Sequence, residues 1–123
     1  MDPIKEALTF DDVTLAPKYS SVLPSEVNTS VKLSKNLNLK IPLLSSAMDT
    51  VTESKMAIEI AKAGGIGVIH RNLSINDQIL EIKKVQKKGL VVGAAVGTNE
   101  IELFRAEKII KSKVDLIVVD TAH

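Results

Sequence analysis

Residues 41–53 have the sequence IPLLSSAMDTVTE, which is the most informative stretch of the chain about its fold. Leu43–Ser46 is a short apolar run of the kind found in a buried strand. The motif Thr50-Val-Thr-Glu53 follows and predicts a capping box, in which a hydroxyl accepts from an early helix N–H and the glutamate accepts from the N–H of the cap residue. Thr52 is an alternative cap. The stretch therefore predicts a strand that leads straight into a helix.

The same strand-to-helix unit recurs toward the C-terminus. Further strands are predicted at residues 66–69, 90–96 and 114–119. The first helix ends at Gly64-Gly65, the second follows the cap Ser74, and the third runs from the cap Asn99 to about Lys111. This alternation implies a parallel sheet with right-handed crossovers, either an open doubly wound sheet or part of a (βα)8 barrel. Since a complete barrel usually needs about 250 residues, length alone favours the open sheet.

The first forty residues are irregular in pattern. Phe10–Leu15 is predicted as a short strand that ends before Pro17. Val31–Leu33 and Leu37–Leu39 alternate apolar and polar residues on either side of Ser34–Asn36, which predicts a small two-stranded hairpin.

Composition excludes several classes of protein. Hydrophobic residues make up 45% and charged residues 25% of the chain, the balance of a soluble globular protein. The net charge is +1 without a basic cluster, so no nucleic-acid partner is expected. The absence of cysteine excludes disulfides, thiolate metal sites and a cysteine nucleophile within these residues. No apolar stretch approaches the ~20 residues of a membrane span and no signal peptide is recognisable, so a cytoplasmic protein without a membrane partner is expected.

Candidate site residues cluster at the carboxyl ends of the predicted strands, where parallel α/β folds bind ligands. Four segments end there: Ser46–Asp49, His70–Asn72, Val96–Thr98 and Asp120–His123. A strand-end aspartate such as Asp120 can bind a ribose diol by accepting two hydroxyl hydrogen bonds.

Each candidate also has a structural interpretation. Asp49 could simply cap the following helix. His70 could make one structural hydrogen bond at a strand end. Gly64-Gly65-Ile-Gly67 precedes a strand rather than opening a helix, so these glycines are predicted to serve capping and packing instead of phosphate binding. No residue spacing predicts a metal site or a Ser-His-Asp triad.

Six motifs resemble those of IMP dehydrogenase and occur in that family's order. They are LTFDDV (8–13), SSVLP (20–24), IPLLSSAMDTVTE (41–53), GGIGVIH (64–70), VGAAV (92–96) and VVDTAH (118–123). They cover nearly the whole chain, and the SAMDTVTE part is highly specific. Because that family is a (βα)8 TIM barrel, the resemblance outweighs the length argument. It implies an α/β fold with the first half of the barrel, four parallel strands and three helices.

The resemblance also implies a division of the chain. Residues 1–40 would form an N-terminal extension with a β-hairpin, and residues 41–123 the first half of the barrel. Most members of the family insert a pair of CBS regulatory modules after the second barrel helix. Residues 85–90 instead connect helix to strand directly, so these modules, and nucleotide regulation through them, are expected to be missing.

The site residues implied by the resemblance are those of a bacterial-type enzyme. Ser46 and Met48 match positions that line the IMP pocket. Asp120 matches the aspartate that contacts the ribose on the nicotinamide side of NAD. The neighbouring cofactor-side segment comprises Thr121, Ala122 and His123.

The resemblance places the chemistry of the reaction outside this chain. In the family, a cysteine on a later loop attacks the purine, a hydride passes to NAD, and a mobile flap then activates water. That cysteine and the potassium site belong to the second half of the barrel. This segment alone is therefore expected to be inactive, to need the remaining half, and to bind IMP and NAD within a homotetramer.

Two alternatives remain open from the sequence. GMP reductase shares the barrel and the cysteine chemistry, but it lacks the Thr-Glu that follows the Met-Asp-Thr-Val run and does not carry Asp-Thr-Ala-His. A non-catalytic half-barrel that serves only in binding or assembly is the second alternative.

Overall fold

The computed structural model describes residues 5–122 and contains two sheets and three α-helices. The strands are β1 (Val31–Lys32), β2 (Asn38–Leu39), β3 (Leu44–Ser45), β4 (Ile66–Ile69), β5 (Val92–Val96) and β6 (Leu116–Val119). The helices are α1 (Ser54–Lys62), α2 (Ile75–Gln86) and α3 (Glu100–Lys111), and short 3-10 helices span Phe10–Asp12 and Pro24–Glu26. Among the described residues, no helix has both the length and the apolar character needed to cross a membrane.

The larger sheet has the strand order β3-β4-β5-β6, and every neighbouring pair is parallel. Helices α1, α2 and α3 pack on one face of it, around Ala57, Ile82 and Ile109. A doubly wound sheet reverses its strand order and carries helices on both faces, whereas a barrel keeps a sequential order with helices outside. The four strands, three helices and hairpin predicted for part of a (βα)8 barrel are thus confirmed, and the open sheet favoured by length is wrong.

The core between sheet and helices depends on small residues where α1 crosses β4. Ala57 of α1 is fully buried beside Gly67 of β4. A Cβ built on Gly67 would lie only 2.4 Å from the Ala57 Cα. The absence of a side chain at Gly67 therefore lets α1 approach the strand at backbone distance. Gly64 ends the same helix at φ +100°, so the predicted capping and packing roles of these glycines are confirmed.

The hairpin of β1 and β2 packs on the sheet away from the three helices. Leu37 and Leu39 are buried against Ile66, with Val91 and Leu116 alongside. Ile66 opens β4, and Leu116 opens β6. The hairpin therefore packs at the amino-terminal end of the strands and leaves their carboxyl ends clear for a site.

Two of the three predicted helix starts are confirmed. Ser74 caps α2 by accepting from the Asp77 N–H (3.1 Å), and Asn99 caps α3 by accepting from the Glu102 N–H (2.9 Å). The prediction for α1 is wrong, because its N-cap position is Glu53 and neither Thr50 nor Thr52 caps it. The Thr52 hydroxyl instead bonds backward, inside the loop that precedes the helix.

The predicted strand at Phe10–Leu15 is also wrong. Phe10–Asp12 is one turn of 3-10 helix. The Asp12 carboxylate accepts from the Thr9 N–H (2.8 Å) and from the Thr9 hydroxyl (2.9 Å). Such local bonds from a side chain compete with strand pairing, and here they favour the turn over the extended form.

Candidate functional site

Two adjoining cavities lie at the carboxyl ends of the parallel strands. The first, of about 440 Å³, is lined by Leu44, Ser45, Ser46, Ala47, Met48, Val68, Val118 and Asp120. The second, of about 390 Å³, is lined by Ala47, Met48, Asp49, His70, Arg71, Asn72 and Asp120. Ala47, Met48 and Asp120 border both cavities. Three residues singled out from the sequence, Ser46, Met48 and Asp120, are thus brought together from opposite edges of the sheet.

The other sequence-predicted site residues follow Asp120 directly. Thr121 and Ala122 are exposed, and neither lines these two cavities. His123 lies outside the described residues. Asp120 itself is exposed at the end of β6, and its backbone N–H donates to the Val96 carbonyl at 2.8 Å. Its carboxylate is therefore able to face a ligand while its backbone is held by β5.

The first loop, between β3 and α1, is organised by Thr52, which is fully buried. Its hydroxyl lies 2.5 Å from the Ser46 carbonyl and 2.9 Å from the Ser45 hydroxyl. A carbonyl can only accept, so the one Thr52 proton goes to Ser46, and Ser45 supplies the proton shared by the two hydroxyls. Thr52 therefore fixes the backbone of the predicted substrate residue Ser46.

A second set of contacts ties this first loop to the loop that follows β4. The Asn72 side-chain amide donates to the Asp49 carboxylate at 3.0 Å. His70 Nε2 lies 3.3 Å from Glu53 Oε1, and because a carboxylate accepts, this ring nitrogen is the donor. Asp49 accordingly binds across to the next loop, and its alternative interpretation as a helix cap is wrong.

His70 makes one side-chain hydrogen bond, as its structural interpretation anticipated. The residue is only 2% exposed, and its Nδ1 has no hydrogen-bond partner among the described residues. Its backbone N–H contacts the Thr52 carbonyl at 3.5 Å. His70 therefore serves mainly to join the two loops.

The combined side chains suit a polar organic ligand. A hydroxyl and a thioether from the first loop face a carboxylate from the last strand, above an apolar floor that includes Val68 and Val118. Within residues 5–122, no three side chains of His, Asp or Glu gather closely enough to hold a metal ion. The arrangement can orient a ligand with hydroxyl groups, and the described residues offer it no nucleophilic thiol, because the chain contains no cysteine.

The sequence predicts Thr52 as an alternative helix cap, but its hydroxyl instead bonds to Ser45 and Ser46 within the first loop. We expect Thr52→Val to lower the free energy of unfolding by about 2 kcal/mol, since it leaves a carbonyl and a hydroxyl short of a partner. Amide exchange in residues 46–52 should become faster. Hydrogen exchange and urea denaturation measure the two effects. Thr52→Ser keeps the hydroxyl and serves as the control; equal exchange in both variants would contradict the role given to this hydroxyl.

Comparison with known proteins agrees with the family resemblance seen in the sequence. The family model described as "IMP dehydrogenase / GMP reductase domain" matches residues 7–123. The chain is 42% identical to the inosine-5'-monophosphate dehydrogenase of Borreliella burgdorferi, over 97% of this chain and 42% of that protein. It is 40% identical to the enzyme of the same name from Cryptosporidium parvum, over 98% of this chain and 40% of that protein. With that of Aquifex aeolicus it shares 56% identity, over 72% of this chain and 19% of the relative.

These alignments differ in length from both the chain and its relatives. The chain spans less than half the length of the curated relatives that it matches. The alignment with the Borreliella burgdorferi protein extends over 169 positions, more than the 123 residues of this chain. That relative therefore carries residues inside the aligned region that have no counterpart here.

Proposed function

The chain belongs to the IMP dehydrogenase / GMP reductase domain family, and we propose that it is the N-terminal part of an enzyme that oxidises IMP to XMP with NAD. The observation that carries this proposal is the meeting of Ser46, Met48 and Asp120 around one cavity of about 440 Å³ at the carboxyl ends of the strands. GMP reductase shares the family description, but the three relatives are named as dehydrogenases. Oxidation is therefore the proposed direction.

The proposed roles follow the chemistry of each side chain. Ser46 and Met48 form one wall of the IMP site, where a hydroxyl offers a hydrogen bond and a thioether offers a polarisable apolar surface. Asp120 fits the cofactor, since an exposed carboxylate at a strand end can accept hydrogen bonds from both hydroxyls of a ribose. Thr121, Ala122 and His123 complete the cofactor side. NAD, when bound, supplies the acceptor for the hydride that leaves the purine.

The covalent step of the proposed reaction requires a residue that this chain does not contain. A cysteine-linked intermediate needs a thiol, and the chain has none. The same applies to the proposed potassium site, which we place in the second half of the barrel. Residues 5–122 therefore contribute walls and orientation to the site, and the nucleophile comes from the remaining half.

Several features of the described residues support a requirement for that second half. Within residues 5–122, β3 and β6 each pair on one side only. A groove of about 620 Å³ with apolar and charged walls runs along α1, and a mainly apolar groove of about 450 Å³ runs between α3 and β6, near these two edges. The chain exposes 9564 Å², against roughly 6,500 Å² expected for a compact monomer of its mass. Part of the excess comes from residues 5–30, all of which are exposed, and part from these open edges.

We propose a cytoplasmic homotetramer in which residues 1–40 and 41–123 form the extension and the first half of each barrel. The direct connection from α2 to β5, between Gln86 and Val92, supports the lack of inserted regulatory modules at that point. Regulation of the activity by ATP or GTP through such modules should then be missing.

The proposed function is tested by the absorbance of NADH. The whole polypeptide that carries this chain is purified and supplied with IMP, NAD and potassium. A rise in absorbance that depends on IMP is the expected result. If no rise occurs, GMP and NADPH replace the substrates. Consumption of NADPH would then identify a GMP reductase, and inactivity with both pairs would refute the enzymatic proposal.

A further inference from the structure

A buried polar cluster lies next to two of the loops at the site. Its members are Gln78 of α2, which is fully buried, and Glu102 and Arg105 of α3, which are 7% and 8% exposed. None of the three lines the two cavities at the strand ends. A buried charged pair is unusual enough to require a reason.

Gln78 links the two central strands at their carboxyl ends. Its side-chain N–H₂ donates to the carbonyl of Ile69, at the end of β4 (3.3 Å), and to that of Ala95 in β5 (2.9 Å). Its Oε1 accepts from Arg105 Nη1 at 2.9 Å. This set of partners determines the orientation of the amide, because a flipped amide would place two donors against each other.

The charged pair reaches the backbone of both following loops. Arg105 Nη1 donates to the Leu73 carbonyl at 3.0 Å, and Leu73 lies between β4 and α2. Arg105 Nε donates to Glu102 Oε1 at 3.0 Å. Glu102 Oε2 in turn accepts from the Gly97 N–H at 2.7 Å, directly after β5. A Cβ on Gly97 would lie 2.9 Å from the Glu102 side chain, so the loop approaches closely.

The Glu102 carboxylate is stabilised in its ionised form. Burial raises the pKa of this group, but the hydrogen bond from the Gly97 N–H and the bond and charge of Arg105 outweigh it, with a further contribution from the Arg71 charge. The pKa of Glu102 consequently lies below its ordinary value. At neutral pH the cluster therefore contains a matched positive and negative charge.

Stability alone does not account for this pair. Apolar residues of similar volume usually stabilise a core as well as a buried ion pair does, or better. Unlike apolar side chains, the ion pair can fix the position of backbone groups. Each of its hydrogen bonds to the backbone is made to a loop at the carboxyl side of the sheet. One of these loops carries His70 and Asn72, which bind Glu53 and Asp49 of the first loop. The cluster thus reaches the segment that carries Ser46 through one intermediate loop.

We propose that Gln78, Glu102 and Arg105 are positioning residues that hold the loops after β4 and β5 in the geometry needed for ligand binding, an inference that rests on the proposed function. They touch no ligand themselves. They act through the backbone of Leu73 and Gly97, and through the hydrogen bonds that join the first two loops.

The test uses the double variant Glu102→Leu/Arg105→Met in the whole polypeptide. The apolar pair keeps the volume and charge balance of the cluster but removes its bonds to the loops. We expect amide exchange in residues 70–74 and 97–99 to become about tenfold faster, and kcat/KM for IMP to fall by about tenfold, the equivalent of one lost hydrogen bond. The midpoint of urea unfolding should fall as well, because the Gly97 N–H, the Leu73 carbonyl and the Gln78 Oε1 lose these partners.

The matched control is Glu107→Leu/Lys111→Met, which also replaces one acidic and one basic side chain by Leu and Met, but on the exposed side of α3. It should alter neither the amide exchange nor kcat/KM. Unchanged exchange in both loops of a folded cluster variant would overturn the proposal. If the double variant does not fold, Glu102→Gln replaces it: one acceptor oxygen then serves two donors, so both readouts should move in the same direction by a smaller factor. If the unmodified polypeptide makes no NADH, the proposed function fails, and the exchange measurement alone decides the positioning role.

Discussion

Replacing Gly67 with alanine is expected to destabilise the protein by about 3 kcal/mol, at the upper end of the range for overpacking a core. The added methyl carbon would lie 2.4 Å from the Ala57 Cα and 2.6 Å from its Cβ. The first of these atoms is backbone, so no side-chain rotation relieves the clash and α1 has to move away from β4. The urea midpoint and slope of the variant, followed by circular dichroism, measure the loss.

Two further variants separate the steric clash at Gly67 from backbone strain and from the contribution of the Ala57 side chain. Gly89→Ala makes the same substitution where nothing lies within 4 Å, although φ is +68°. It should cost about 1 kcal/mol through backbone strain alone. Combining Gly67→Ala with Ala57→Gly relieves the clash with the side chain at position 57 but leaves the clash with its backbone, so it should restore little stability. Full recovery in that double variant would show that α1 is able to shift on β4.

Replacing Asp120 with alanine is expected to lower kcat/KM for NAD by about 100-fold. The proposed contact consists of two charge-assisted hydrogen bonds to a ribose, and losing them costs about 3 kcal/mol. Asp120 is exposed, so the unfolding midpoint should change little. Initial rates of NADH formation at varied NAD, with IMP saturating, give the value.

The conservative variant and a surface control make this result specific. Asp120→Asn keeps the shape and one acceptor oxygen, and an intermediate loss is expected. Glu107→Gln removes a negative charge from the exposed side of α3 and should leave the rate unaltered. An equal effect on IMP binding, measured without NAD, would place Asp120 on the substrate side and contradict the role proposed for it.

Much of the secondary structure is predictable because its signals are local. The caps Ser74 and Asn99 bind N–H groups three residues away, so the residues of a single turn determine where α2 and α3 begin. The hairpin follows from alternation within nine residues. The start of α1 is not predictable in this way, because Thr52 satisfies a capping pattern yet bonds backward to Ser45 and Ser46.

The burial of the polar cluster is predictable from the sequence for Gln78 but not for Glu102 and Arg105. Gln78 lies three residues after Ile75 and four before Ile82, on the apolar side of α2, and this spacing is a signal for its burial. In α3 the pattern points the wrong way, since Glu102 and Arg105 are buried while Ile101 and Leu103 are 71% and 64% exposed. Leu103 lines the groove between α3 and β6, so its apolar side chain forms part of that groove and not of the core.

Local sequence patterns predict the order of strands and helices, the hairpin, and the strand ends at which polar residues collect, because each depends on residues that are close neighbours in the chain. The remaining features emerge only in the folded structure. It showed the helices on one face of a sequential sheet, brought Ser46 and Asp120 to the same cavity across 74 residues of chain, and paired two buried charges with loop backbone. These contacts join segments that are distant in the chain, so their burial and hydrogen-bond geometry depend on packing rather than on local pattern.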